Sequence, residues 1–183
     1  MDAWSDIRIA ARRCRDASVA AAAGAQDAKS VIDGMLYVHD LELDEYVPGT
    51  SVAANVLGWF ERGPKIVHVA KGQPDDKRVM VIAHELGHFM LHSDPATDVT
   101  DVSMLLSGEP VESGAARVDG YSSRERKEVQ ADVFAGEFLC PTDWLRGRLV
   151  GGAKPAGIAD ELGLPYALVL QQAIRALLLP PLQ

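Results

Sequence analysis

Residues 77–92 read as one helix, and that helix most constrains what the chain can fold into. Its apolar residues, Val79, Met80, Ile82, Ala83, Leu86, Phe89, Met90 and Leu91, cover most of the circumference instead of one stripe. A helix that is apolar nearly all round belongs in an interior. The same stretch carries His84, Glu85, His88 and His92, and polar groups taken out of water are costly unless something compensates them. Any fold of this chain must bury the helix and give those four side chains partners or a ligand. Asp75 or Asp76 stands where an N-cap is expected.

The flanking segments are shorter. Trp4, Ile7, Ala11 and Cys14 recur at helical spacing in an Ala-rich stretch over 4–23, which Gly24 follows as a C-cap. A second short helix is expected over 26–33. Three strand candidates follow, 36–43, 52–60 and 65–70, parted by Pro48-Gly49 and Arg62-Gly63-Pro64. Close succession favours a small, mostly antiparallel sheet. Residues 93–120 show no sustained period, and a connection this long is usually functional or mobile; 99–106 is the one place in it for a short element. Ser122 with Glu125 reads as a capping box opening a helix to Leu139, which Pro141 ends. A helical turn over 143–150 and a helix pair, 156–162 and 166–179, hinged at Gly163-Leu164-Pro165, complete the chain. The 183 residues are expected to form a single domain, with N-terminal helices over 1–35, a core over 36–141 and a helical tail over 142–183.

Composition narrows the class. Hydrophobic residues make up 48% and charged residues 24%, which suits a packed globule. The formal net charge of −8 argues against nucleic acid or an anionic membrane as partner, since both need a basic footprint. Two cysteines, Cys14 and Cys140, make no disulfide framework and suit a reducing compartment. No signal-peptide layout and no membrane-length apolar run is visible, so a cytoplasmic protein is expected.

The chemistry lies in the spacing of the polar residues on the central helix. Positions 84 and 88 project from one face, one turn apart. Two imidazole nitrogens so placed can reach one Zn²⁺ at about 2.0–2.1 Å. Glu85 lies roughly 100° further round, where it can act on the metal's water as general base without ligating. A catalytic zinc also needs a third protein ligand. The candidate is Glu128, which shares a helix face with Ala131, Asp132 and Ala135; the alanines permit close approach to the metal helix. Asp132, one turn on, is placed to accept a hydrogen bond from the outer nitrogen of a ligand histidine. His92 is the rival third ligand. It stands two turns from His84, about 11 Å at a pitch of roughly 5.4 Å, too far for one tetrahedral ion, and is expected to be structural or to support a ligand. A His₂Glu set also accepts Mn²⁺.

These residues look familiar. His84-Glu85-Leu86-Gly87-His88-Phe89-Met90-Leu91-His92, followed by Glu128-Val129-Gln130-Ala131-Asp132 and the run on to Pro141, resembles the ImmA/IrrE family of metallopeptidases. The likeness covers roughly 36–141. It implies an α+β, gluzincin-like (zincin-type) core: a small sheet beside a metal helix and a glutamate helix. It also implies His84, His88 and Glu128 as ligands and Glu85 as base. The activity implied is zinc-dependent endoproteolysis of a partner helix-turn-helix transcriptional repressor. The chain departs from the family's common pattern at Arg78-Val79-Met80-Val81-Ile82-Ala83, ahead of the metal motif, and at Cys140, where Met is common. The competing expectation is a non-catalytic regulator that uses the same metal and fold to bind a repressor or toxin without cutting it.

Weaker signals remain. Residues 158–176 have a helix-turn-helix cadence but a single basic residue, Arg175, so phosphate contacts would be few. The apolar end over 177–182 offers a dimer or partner surface. Strand 65–70 would bind substrate as an added strand if it is a sheet edge, with His68 then able to face the site. Tyr121 is a candidate oxyanion donor. Arg12-Arg13 and 124–127 read as solvated faces.

Overall fold

A computed structural model describes residues 3–48, 56–92, 99–100 and 123–182. Among them are seven helices and four short strands: α1 (Ala3–Ala21), α2 (Ala28–His39), β1 (Glu42–Tyr46), β2 (Gly58–Glu61), β3 (Ile66–Ala70), α3 (Asp75–Leu91), β4 (Val99–Thr100), α4 (Ser123–Leu139), α5 (Thr142–Val150), α6 (Pro155–Leu162) and α7 (Tyr166–Leu178). The class is α+β, as expected.

The sheet runs β1-β3-β2-β4. β2 and β3 form a hairpin over the Arg62-Gly63-Pro64-Lys65 turn, where Lys65 takes a left-handed φ of 60°. β4 extends β2 antiparallel. β1 lies parallel to β3, with Glu42 opposite Ile66 and Tyr46 opposite Ala70. β4 adds a fourth strand to the three expected ones; two of the three pairings are antiparallel, as expected of a mostly antiparallel sheet, while the β1–β3 pairing is parallel and makes the sheet mixed. The reason is connectivity: the hairpin occupies one side of β3, and β1 docks on its other side, closed by Glu42 N–H to Lys65 O at 3.0 Å and Lys71 N–H to Tyr46 O at 2.8 Å. β3 thus sits between two strands and is not a sheet edge, so strand addition along it is closed off.

Local chemistry sets the helix ends. Asp27 caps α2 by accepting from the Ser30 amide at 3.0 Å. The helix runs on to His39, where Asp40 ends it in a left-handed conformation. Residues 36–39, expected as strand, are helical. Met35, Leu36, Tyr37 and Val38 are apolar in succession, and such a run has no period of its own; the caps and the burial of Val31, Ile32 and Met35 decided it. α3 starts slightly earlier than expected. Pro74 is its N-cap, and Asp75 and Asp76 occupy the first turn, where their charge favours the helix dipole without a side-chain cap. Ser122 of the expected capping box, residues 101–106 and the first part of the second strand candidate lie outside the residues described.

α3 is buried along the run Val79 to His88. It has the sheet on one side and α4 on the other. Two glycines permit this. A Cβ on Gly87 would stand 3.0 Å from both the Cα and the carbonyl oxygen of Ala131, so α3 and α4 touch backbone to backbone there. A Cβ on Gly58 would meet Val81 at 2.6 Å and Glu85 Cγ at 3.5 Å, so β2 lies directly over the metal-motif turn.

α1 is bound into the body by its arginines. Arg8 reaches Glu137 at 3.4 Å and Thr142 at 2.6 Å. Arg12 reaches Glu137 at 2.6 Å and Asp143 at 2.5 Å. Arg15 donates to the carbonyls of Phe138 and Leu139 at 2.9 and 3.1 Å, satisfying the end of α4. Arg12 is therefore not a solvated charge as its sequence position implied; Arg13 beside it is exposed. No helix among the described residues is long and apolar enough to cross a membrane.

Candidate metal centre

His84, Glu85 and His88 are all essentially buried, at 2%, 0% and 1% exposure. α3 carries them into the seam with α4, which brings Glu128 and Asp132 from the opposite side. The Nε2 atoms of His84 and His88 stand 3.0 Å apart. Glu128 Oε2 lies 3.3 Å from the first and 3.5 Å from the second. One donor atom from each of His84, His88 and Glu128 falls within 4.8 Å of the others, a group that could hold a metal ion.

Asp132 Oδ1 lies 2.7 Å from His84 Nδ1. An ionised carboxylate only accepts, so Nδ1 carries the hydrogen and the Nε2 lone pair turns toward Glu128. His84 Nε2, His88 Nε2 and Glu128 Oε2 then converge on one point, where a cation fits among them. In the metal-free protein that cation is a proton. Burial alone would depress the His84 pKa, but the hydrogen bonds to Asp132 and Glu128 override it and push it up to about 10. Burial likewise opposes ionisation of Glu128, yet the two histidines hold its pKa down at about 2. A divalent ion satisfies the same field with more charge. The N,N,O donor set fits zinc, and Asp132 supplies the outer hydrogen bond that orients a ligand histidine.

His92 is not part of this group. Its Nδ1 lies 3.0 Å from His88 Nδ1, on the far side of that ring, and its Nε2 is 3.1 Å from Gln130 Oε1. The C-terminal turn of α3 is held by Arg62, from the β2–β3 turn. It donates to the carbonyls of His88, at 3.2 Å, and His92, and its guanidinium lies over the rings of Phe60 and Phe89 at 5.4 and 5.9 Å. Glu85 is on the same α3 turn as the histidines, against Gly58. Tyr46 belongs to its surroundings: burial and the Glu85 charge together raise the phenol's pKa, and its hydroxyl donates to Val56 O.

His68 does not reach the centre. Alternation on β3 buries Val67 and Val69 and turns His68 to the other face of the sheet. There its ring lies between Asp44 at 2.9 Å and Glu61 at 3.3 Å and stacks on Trp59 at 4.3 Å. Tyr121 lies outside the residues described. Gln130, Arg62 and Tyr46 went unnoticed in the sequence. Gln130 lies between Glu128 and Asp132 and could have been found from that position; the other two carry no local signal.

A metal-capable group of two histidines from one helix and a glutamate from the next is the arrangement of a metallopeptidase class. Within it, the profile of the family described as IrrE N-terminal-like domain, Peptidase_M78, matches residues 51–173, and the chain belongs to that family. Among curated proteins no significant match is found.

Proposed function

We propose that the protein is a zinc-dependent endopeptidase acting on a protein substrate, with His84, His88 and Glu128 holding the ion and Glu85 as general base. The observation that carries this reading is the convergence of those three side chains around one point, with Glu85 buried on the same helical turn. When bound, the ion supplies Lewis acidity, polarising the scissile carbonyl and lowering the pKa of water. Glu85 takes the proton of the attacking water and delivers it to the departing amine. Asp132 holds the His84 ring in its tautomer through the 2.7 Å contact.

By resemblance to the ImmA/IrrE family, we infer that the substrate is a helix-turn-helix transcriptional repressor and that the protein works in the cytoplasm. The whole chain acts as one domain in this reading, since one core cluster runs from Ile7 to Ala173. In the same reading the apolar end, where Leu177, Leu178 and Leu179 are exposed, is the surface for a dimer.

The test is Glu85→Gln. Zinc content should stay at the level of the unaltered protein, while cleavage of a co-incubated repressor falls by about 10²-fold or more. Full cleavage by this variant would sink the mechanism. A stable, uncleaved complex with the unaltered zinc-loaded protein would favour the binding regulator instead.

A further inference from the structure

Peptide groups alternate in direction along a strand, so each residue of β2 serves one neighbour. Leu57, just before β2, turns its carbonyl to β3, where the Ala70 amide donates to it at 2.9 Å. Trp59 and Glu61 face β3 in the same way, opposite His68 and Ile66. Gly58 and Phe60 therefore direct their amides and carbonyls to the other side, which is the side of β4. There Gly58 stands opposite Thr100 and Trp59 opposite Val99, antiparallel. Gly58 with Thr100 is then the hydrogen-bonded pair, and Trp59 with Val99 is the pair whose Cα atoms lie closest. Among the described residues nothing else pairs with β2 on this side.

This edge borders the centre. A Cβ on Gly58 would stand 2.6 Å from Val81 Cγ1 and 3.5 Å from Glu85 Cγ, so Gly58 is where the sheet meets the proposed base. A strand added to β2 runs about 4.8 Å to its side, past that turn of α3. β4 follows α3 in the chain, so a later segment of the same molecule has taken this place. Its pairing also shows what the place accepts: extended main chain, antiparallel to β2, held by amide and carbonyl groups.

We propose that the β4 side of β2 is the strand-addition site for the peptide to be cut, and that β4 occupies it in the free protein and must leave before substrate enters. This rests on the peptidase reading of the centre. An extended segment that pairs with both Gly58 and Phe60 makes more hydrogen bonds to β2 than Val99 and Thr100 make, so it can replace them. The occupancy of β4 lowers the apparent affinity for substrate by the fraction of molecules in which the edge is open.

The experiment locks and opens β4. Trp59→Cys combined with Val99→Cys puts thiols on a pair whose Cα atoms, about 4.5 Å apart, accept a disulfide. Oxidation then fixes β4 on β2 and reduction frees it; the native thiols, Cys14 and Cys140, are buried. Thr100→Pro removes the amide that donates to Gly58, and Thr100→Ala keeps it. One probe is a fluorescein-labelled peptide with the sequence of residues 96–103, read by anisotropy on zinc-loaded protein that also carries Glu85→Gln and so leaves it uncut. The other is cleavage of the co-incubated repressor by protein that keeps Glu85. Peptide affinity should fall about tenfold or more in the oxidised double variant and return on reduction. Thr100→Pro should bind the peptide about tenfold more tightly than unaltered protein, and Thr100→Ala equally well. Cleavage should follow the same order. Equal peptide binding by the oxidised and reduced forms, failure of the two thiols to join, or equal binding by Thr100→Pro and Thr100→Ala would overturn the proposal. Peptide binding that follows the lock, with no repressor cut by any form, would count against the peptidase reading and leave the strand-addition edge standing.

Discussion

At the scale of single residues, the centre is a contest between a proton and a metal ion. With the His84 pKa near 10, metal-free protein at pH 7.5 holds a proton there that the incoming ion must displace. Zinc binding at pH 7.5 should then release about one proton, and apparent affinity should rise about tenfold per pH unit between roughly 6.5 and 10. Calorimetry in two buffers of different ionisation enthalpy reads this directly, and a pH-independent affinity would contradict it. The same shifts set the stability of the metal-free protein. His84 is raised on folding, so its contribution is full below about 6.5 and is lost as pH climbs through about 10. Glu128 is depressed, so its contribution is present above about 4.5 and is lost as pH falls toward about 2. The centre therefore stabilises the metal-free fold most between those two unperturbed values. Cys140 stands apart from this chemistry: burial, followed by the opposing influence of Arg15, leaves its thiol near 12, inert at neutral pH.

At the scale of elements, the centre depends on the separation of α3 and α4. Gly87 against Ala131 sets that separation, because a methyl at position 87 would lie 3.0 Å from Ala131 backbone. Gly87→Ala would gain helix propensity, by about 1 kcal/mol. It must also push the two helices apart, an overpacking cost of typically about 1–3 kcal/mol. The expected net result is a modest loss of stability in denaturant unfolding of the metal-free protein. The sharper consequence falls on metal affinity, which should drop by about tenfold or more as Glu128 recedes from the histidines. Unchanged zinc affinity in a folded Gly87→Ala protein would show that the seam tolerates a methyl. The other side of α3 is held by β2 over Glu85 and by Arg62 at its C-terminal turn, so the metal helix is fixed by sheet, turn and helix together.

At the scale of the whole molecule, the N-terminal helix is bound to the core through charge. Glu137 is 2% exposed and gathers Arg8, Arg12 and Thr142. Asp143 adds Arg12, Arg146 and the Leu182 amide. Removing one member of a buried ionic set leaves the others uncompensated, at a cost of about 3–5 kcal/mol. Glu137→Ala should therefore lower the free energy of unfolding by that order in urea, without touching the metal ligands. Zinc affinity measured below the unfolding transition should be unchanged. A loss under about 1 kcal/mol, the range of an exposed pair, would mean that solvent reaches the arginines. Glu137 lies on α4, beyond Glu128 toward its C-terminus, so the same helix carries the proposed third metal ligand at one end and the anchor of α1 at the other.

The sequence by itself determined the metal helix, the second helix with Glu128 and Asp132, and the C-terminal helix pair. Each rests on local periodicity, fixed spacing or turn residues, and such signals survive in one dimension. Close spacing on a helix also placed His84 and His88 together, because four residues make about one turn whatever the tertiary surroundings. Only the tertiary structure decided the parallel pairing of β1 with β3, since strand neighbours are chosen by which edge is open when the hairpin has formed. It turned His68 away from the centre, because one step in strand register exchanges faces. It made Arg12 an internal ion partner, because its carboxylate lies 125 positions along the chain. It brought His92 onto Gln130 across the helix seam. The helix over 77–92 was legible as buried and in need of a ligand; what lies behind each of its histidines depends on which helix packs there.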